Sequence, residues 1–258
     1  MQTGHWPWRQ YLTLTRAFAW SDFRLRFHGS VLGIFWSFLR PLLLFGVLYL
    51  VFSIFVRFDI PNYSLYLLLG IILWNFFAEA TNLALASIDG KTALLKKVPF
   101  PRTIIVLSAT LTSFISLIFN LIVFFLFILF SGLSLGPTAL LLPLYLLALF
   151  GITLGVGYLL IALYAKFRDV RNIWEVLLQL GFWLTPIIYT LSIVPERFHW
   201  WIYLNPLTRV IQYSREAVIE GHLSNLDGIL GLYLMAGAIF IVGYLVFRSR
   251  AKYFAEEL

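Results

Sequence analysis

The chain has 258 residues, of which 61% are hydrophobic and 12% charged, where soluble domains carry roughly a quarter charged residues. A soluble core of this size cannot bury so much apolar surface, so a soluble enzyme or binding domain is excluded and a bilayer-embedded chain is indicated. There is no cysteine, which removes disulfides and thiolate metal sites, and the net charge of +7 is spread between apolar runs rather than gathered in a nucleic-acid-binding stripe.

At the N-terminus no secretory signal is present, because Trp6, Trp8 and Tyr11 are interspersed with Arg9, Gln10 and Arg16. Residues 6–29 read as an amphipathic helix and its exit. At 100° per residue Trp8, Tyr11, Leu12, Phe18 and Ala19 share one arc, and Arg9, Gln10, Thr13 and Arg16 the opposite one. That pattern predicts a helix lying in the membrane interface.

A helix needs about 20 apolar residues to cross the hydrocarbon core. Runs meeting that need occupy 31–56, 63–87, 103–130, 138–164 and 226–247, with a shorter one at 173–190. The fold class expected is an all-α membrane protein with six transmembrane helices in a single transmembrane domain. A basic loop ending LKKVPFPR is expected between the second and third spans, and the charged loop AKFRDVRN between the fourth and fifth. Residues 191–225 mix Trp200, Trp201, Tyr203 and Ile211 with Pro195, Pro206, Arg209 and Arg215. This is too polar to span and too apolar for a linker, so short re-entrant helices dipping into the outer leaflet are expected.

The cations set the orientation. Arg9, Arg16, Arg24, Arg26, Lys91, Lys96, Lys97, Arg102, Lys166, Arg168, Arg171, Arg248, Arg250 and Lys252 fall on one side, against Arg57, Arg197, Arg209 and Arg215 on the other. Both termini are therefore expected in the cytoplasm.

Little in the chain suggests chemistry. DGKT at 89–92 resembles the end of a phosphate loop, but the position of that loop's first glycine is Leu85 and no strand precedes it. ATP binding by this chain is rejected. His5, His28, His199 and His222 are scattered, so no metal site is expected, and no catalytic residue is assigned. Arg40 and Glu79 lie about 13 Å and 12 Å from the same ends of adjacent spans. Lone charges at that depth are costly, and either an Arg40–Glu79 pair or separate contact with a wet channel would relieve them. Gly151-x-x-x-Gly155 with Gly157 predicts close helix packing. Phe35, Trp36, Trp74, Phe76, Phe77, Phe182, Trp183 and Tyr189 form a dense aromatic set, suited either to packing or to stacking against sugar rings.

Several motifs together resemble the permease subunit of type-2 ABC transporters, in the branch that exports O-antigen, capsule and teichoic acid. They are Arg26, Ser30, Leu32, Gly33, Trp36 and Pro41 in RFHGSVLGIFWSFLRP; Lys97, Phe100 and Pro101; Arg168 and Asp169; Thr185, Pro186, Ile187 and Tyr189; and Asn205 with Pro206. The resemblance covers nearly the whole chain in order and spacing, although Arg40 is not part of the pattern. It implies a homodimer in the bacterial inner membrane, joined by two copies of an ATP-binding cassette subunit. ATP and magnesium would act in that subunit, with no cofactor in this chain. The cargo implied is a lipid-linked glycan. The resemblance also implies that the N-terminal helix and the second-to-third loop rest on the ATPase, making Arg9, Arg16, Asp89, Lys91, Lys96, Lys97 and Arg102 coupling candidates. Spans one and five would line the substrate path, giving Trp36, Arg40, Phe182, Trp183 and Tyr189 as candidates, with Trp74 and Glu79 beside them. Three alternatives stay open: a related permease for a drug or lipid; a membrane enzyme acting on polyprenyl-linked sugars, for which only Glu79 and Glu175 approach a carboxylate pair; and a secondary transporter, for which no convincing inverted repeat is visible.

Overall fold

The computed structural model describes residues 7–27, 29–57, 60–97 and 100–250, and the regular structure among them is helical. Lys252 of the basic tail lies outside the described residues. Helix α1 spans Trp8–Phe27. Helix α2, Trp36–Tyr49, is led in by a 3-10 turn at Gly33–Phe35 and continued by a π-helical stretch at Leu50–Phe55. Helices α3 (Tyr63–Lys97), α4 (Thr103–Ser131), α5 (Leu142–Tyr164) and α6 (Val170–Leu184) follow. Short helices α7 (His199–Tyr203) and α8 (Pro206–Arg215) precede α9 (Leu226–Arg250).

Among the described residues five helical stretches are long and apolar enough to cross a membrane: Gly33–Phe55, Tyr63–Lys91, Thr103–Ser131, Pro137–Tyr164 and Leu226–Arg250. The sixth expected span, 173–190, is instead the 15-residue α6, about 22 Å long at 1.5 Å per residue and short of a 30 Å core. Its early end has a local cause. Pro186 disfavours helical backbone at the residue before it, and Thr185 is extended, with φ −84° and ψ 134°. In the opposite sense, α3 runs ten residues past the expected 63–87 and takes up most of the expected basic loop. Ala, Leu and Lys at 93–97 are strong helix formers, and the helix stops two residues before Pro99.

Helix α3 is the central element, buried along most of its length from Tyr63 to Ile88 and packed on α2, α4, α5, α6 and α8. Helices α5 and α9 form the tightest crossing. A Cβ on Gly155 would lie 2.6 Å from the Ile239 carbonyl oxygen, and one on Gly243 would collide with the Gly155 carbonyl. Gly157 abuts Val106 and Ala84, but Gly151 faces open space, so the partner of Gly155 is Gly243 on α9 rather than Gly151 one turn away.

Pro41 lies inside α2, where proline withholds a donor from the carbonyl four residues earlier. That carbonyl, Ser37 O, accepts instead from the Asn120 side-chain amide of α4 at 3.1 Å. A neighbouring helix thus repairs the backbone, as is needed away from water. Helix α1 runs alongside α4 in the same direction: Tyr11 donates to Thr103 at 3.0 Å, Thr112 donates to the Ala19 carbonyl at 3.0 Å, and Phe23 stacks on Phe119 at 6.4 Å. Its buried face is Thr15, Ala19 and Phe23, while Trp8, expected on the apolar arc, is 71% exposed.

Candidate functional site

Where α3 ends and α6 begins, charged side chains bind three parts of the fold together. Lys91 bridges α3 to Asp22 of α1 at 2.5 Å and sits over the Phe18 ring. Two residues earlier, Asp89 accepts from Arg171 at 2.5 Å, Arg168 at 3.2 Å and the Tyr164 hydroxyl at 2.9 Å. Both arginines also lie 5.1 Å from the Tyr164 ring centre. Of the coupling candidates, Asp89 and Lys91 are therefore engaged within the chain. Arg9 and Arg16 stand exposed on the outer face of α1, and Arg102 is half-buried at the start of α4. The side chains of Lys96 and Lys97 lie outside the described residues.

The path candidates fall into three places. Glu79 pairs with Arg26, at the end of α1, and not with Arg40. The depth argument for an Arg40–Glu79 pair fails on direction around the helix. Arg40 points to the exposed face of α2 that also carries Leu43 and Val47, and its guanidinium lies 5.7 Å from the Trp36 ring centre. Beside Glu79 a small cavity of about 10 Å³ is lined by Pro41, Asn75, Ser113, Ser116 and Asn120 among others, and among the described residues the Ser113 and Ser116 hydroxyls have no hydrogen-bond partner.

The second place is aromatic. Trp74 is buried, with its ring accommodated by Gly181, whose Cβ would lie 2.8 Å from it. It meets Phe182 edge-on at 6.1 Å, and Phe182 meets the exposed Trp183 at 5.7 Å. Below them opens an apolar cleft of about 280 Å³, lined by Trp74, Phe77, Trp174, Leu177, Leu178, Pro206 and Ile239 among others. The third place is α2 itself, with Trp36 and Arg40. Tyr189 stands apart, its hydroxyl donating to the Leu184 carbonyl at 3.1 Å. Helix α6 has a stripe of exposed polar residues, Asn172, Glu175 and Gln179, at three- and four-residue spacing, and Trp183 continues it.

Arg209 and Arg215 were expected only as outward cations, and the structure turns both inward. Arg209 donates to the carbonyls of Tyr203 at 2.8 Å and Gly228 at 3.3 Å. Arg215 is fully buried, with its ring of partners on α3 and on the turn after α6. The one clue in the sequence is its apolar setting, with Val210, Ile211, Ala217 and Val218 close by. Nearer the surface, His222 contacts Glu220 at 2.8 Å. Partial burial lowers the imidazole pKa, but the hydrogen bond and charge of Glu220 outweigh it, and the net shift is upward. Among the described residues no three His, Asp or Glu side chains gather as a metal-ligand set.

A buried central helix, five helices of membrane-crossing length and glycine-mediated helix crossings define a polytopic helical membrane protein. Residues 13–219 match the ABC-2 type transporter family, and the chain belongs to it. It is 32% identical over 238 residues to the O-antigen export system permease protein RfbA of Klebsiella pneumoniae, covering 92% of each chain. It is 28% identical over 255 residues to the RfbA of Myxococcus xanthus, covering 96% of each. The polysialic acid transport protein KpsM of Escherichia coli is 23% identical over 234 residues, covering 90% of this chain and 91% of KpsM.

Proposed function

We propose that this chain is the permease of an ATP-driven exporter that moves lipid-linked polysaccharide outward across the bacterial inner membrane. In this reading it works as a homodimer with two copies of a separate ATP-binding subunit, where ATP and magnesium act. The names of the relatives, O-antigen export and polysialic acid transport, support a polysaccharide cargo. The observation that carries the reading is the pair of uncovered, partly polar helix faces. On α2 Trp36 and Arg40 share one face; on α6 Asn172, Glu175, Gln179 and Trp183 share another. Charges facing lipid tails at such depths are expensive. A wet path between two copies of the chain gives both faces water and gives the sugar rings Trp36 and Trp183 to stack on.

The rest of the topology follows. Both termini lie in the cytoplasm, by the bias of Lys and Arg. Helix α6 and the turn after it make the sixth crossing, and α7 and α8 occupy the outer leaflet. Arg9 and Arg16, exposed on α1, contact the ATPase. Asp89 and Lys91 brace the platform behind them, so that a push on α1 reaches α3 and the foot of α6.

The test is co-expression with the candidate ATP-binding subunit. The expected result is a stable complex that hydrolyses ATP. Failure to co-purify, or hydrolysis by this chain alone, contradicts the reading. A permease for a lipid or drug is the second reading, favoured by the apolar cleft at Trp74 and Trp174. It predicts that filling the cleft with Leu177→Trp stops transport, whereas a polysaccharide path along α2 and α6 tolerates it.

A further inference from the structure

Four consecutive carbonyls, at the break that ends α6, are each taken by a side chain from elsewhere in the fold. Pro186 O and Ile187 O accept from the two terminal nitrogens of Arg215, each at 2.7 Å. Ile188 O accepts from the Tyr63 hydroxyl at 3.1 Å, and Tyr189 O from the Tyr66 hydroxyl at 3.3 Å. The arrangement is closed on itself. Arg215 Nε donates to the Tyr66 carbonyl at 3.1 Å, its guanidinium lies 3.4 Å from the Tyr66 ring centre, and Gln212 donates to the Tyr66 hydroxyl at 3.4 Å. Gly70 gives the guanidinium room, since a Cβ there would lie 2.5 Å from it.

Non-helical backbone at membrane depth must be satisfied by protein or by water. A water-satisfied break stays pliant, whereas this one is held by a planar guanidinium that takes two successive carbonyls with its terminal nitrogens and the Tyr66 carbonyl with Nε, a fixed fork that a lysine ammonium does not reproduce. Residues 185–188 are buried. Helix α6 itself is the opposite case. Leu178 is its one buried residue, and the helix joins the anchored segment through the extended Thr185, whose hydroxyl accepts from the Asn205 amide at 2.9 Å. At its other end, Arg168 and Arg171 hold Asp89 through pairs whose side chains are 38% to 51% exposed, and Trp174 donates one hydrogen bond, to Thr81 of α3 at 3.0 Å, which a swing must break.

We propose that Arg215, Tyr63 and Tyr66 are positioning residues that fix the outer end of α6, so that α6 swings as a lever about Thr185 when its foot is moved. The proposal rests on the ATP-driven exporter reading. A swing of about 15° would move Ile173, about 18 Å from the pivot at 1.5 Å per residue, by about 5 Å, and Leu184 by less than about 1 Å.

The chain has no cysteine, so spin labels can be introduced one pair at a time. Leu140, 82% exposed, serves as reference. It is tied to the anchor because the neighbouring Thr138 donates to the Ala217 carbonyl at 2.7 Å. The experiment measures the 140–173 and 140–184 distances in the complex with its ATPase, diluted with unlabelled copies, before and after nucleotide trapping. The expected result is a change of several ångströms for the first pair and none for the second. Equal changes in both pairs, or none in the first in a complex that hydrolyses ATP, would overturn the lever. Failure to form an active complex would instead overturn the exporter reading, and the lever with it.

The anchor is tested by Tyr63→Phe combined with Tyr66→Phe, which removes two hydroxyls and keeps both rings, and by Arg215→Lys. Each is expected to broaden the 140–184 distances and to reduce export at least tenfold while ATP hydrolysis continues. Simple misfolding would lose both activities. A narrow 140–184 distribution with undiminished export in the double tyrosine variant would overturn the assignment.

Discussion

The two ends of α6 are held in contrasting ways. At its foot, Asp89 binds Arg168 and Arg171 in contact with solvent, and such exposed pairs are worth about 0–1 kcal/mol each and weaken with salt. At its other end a wholly buried Arg215 is shared among neutral carbonyls and an aromatic ring. Removing a buried, hydrogen-bonded charge of this kind leaves several acceptors unpaired and costs far more. The difference teaches which end lets go more readily: releasing the foot breaks two exposed ion pairs and the Trp174 contacts with Thr81 and Phe77, whereas releasing the other end strips a buried guanidinium of three carbonyls.

The largest effect expected is at the buried end. Arg215→Met should destabilise the protein by roughly 3 kcal/mol or more, read as a fall in thermal stability in detergent and in yield from membranes. Close behind is the crossing of α5 and α9. Gly155→Val forces a side chain against the Ile239 carbonyl, an overpacking worth about 1–3 kcal/mol, measured the same way.

The repair of Pro41 is more discriminating. Asn120→Ala should cost about 1–3 kcal/mol by leaving the Ser37 carbonyl unpaired. Pro41→Ala restores the missing donor, so the double variant should lose much less than the sum of the two single losses. At the foot of α6, Asp89→Asn should change thermal stability by about 1 kcal/mol or less and lose even that in high salt, yet weaken the coupling of ATP hydrolysis to export. The smallest effect is at His222. Its imidazole pKa is raised above the ordinary value, so its contact with Glu220 stabilises the fold at pH below about 6.5 and fades as pH rises through the raised value. The difference in melting temperature between the wild type and His222→Gln should shrink accordingly.

Much of the architecture is legible in composition and hydropathy. The long apolar runs became long helices at 103–131 and 226–250, close to their expected limits, because twenty apolar residues leave a chain few options. What hydropathy cannot carry is direction around a helix and pairing across the fold. Arg40 and Glu79 lie at matching depths, but Arg26, fourteen residues before Arg40 and in the last turn of α1, is the cation that pairs with Glu79. Asp89 and Lys91 read as free charges for docking, and the fold spends both internally. Arg215 reads as one more surface cation, since nothing local announces that two of its acceptors, the Pro186 and Ile187 carbonyls, lie in the turn after α6. The family motif at Thr185–Pro186–Ile187–Tyr189 marked the place without giving its partner.

The measurement that bears most directly on the account is the fate of the glycan when this protein is depleted from its host cell. Lipid-linked polysaccharide should accumulate on the cytoplasmic face of the inner membrane, with surface polysaccharide lost and then restored by the wild-type chain but not by Arg215→Lys. Normal surface polysaccharide, with no lipid-linked glycan retained inside, would contradict the account.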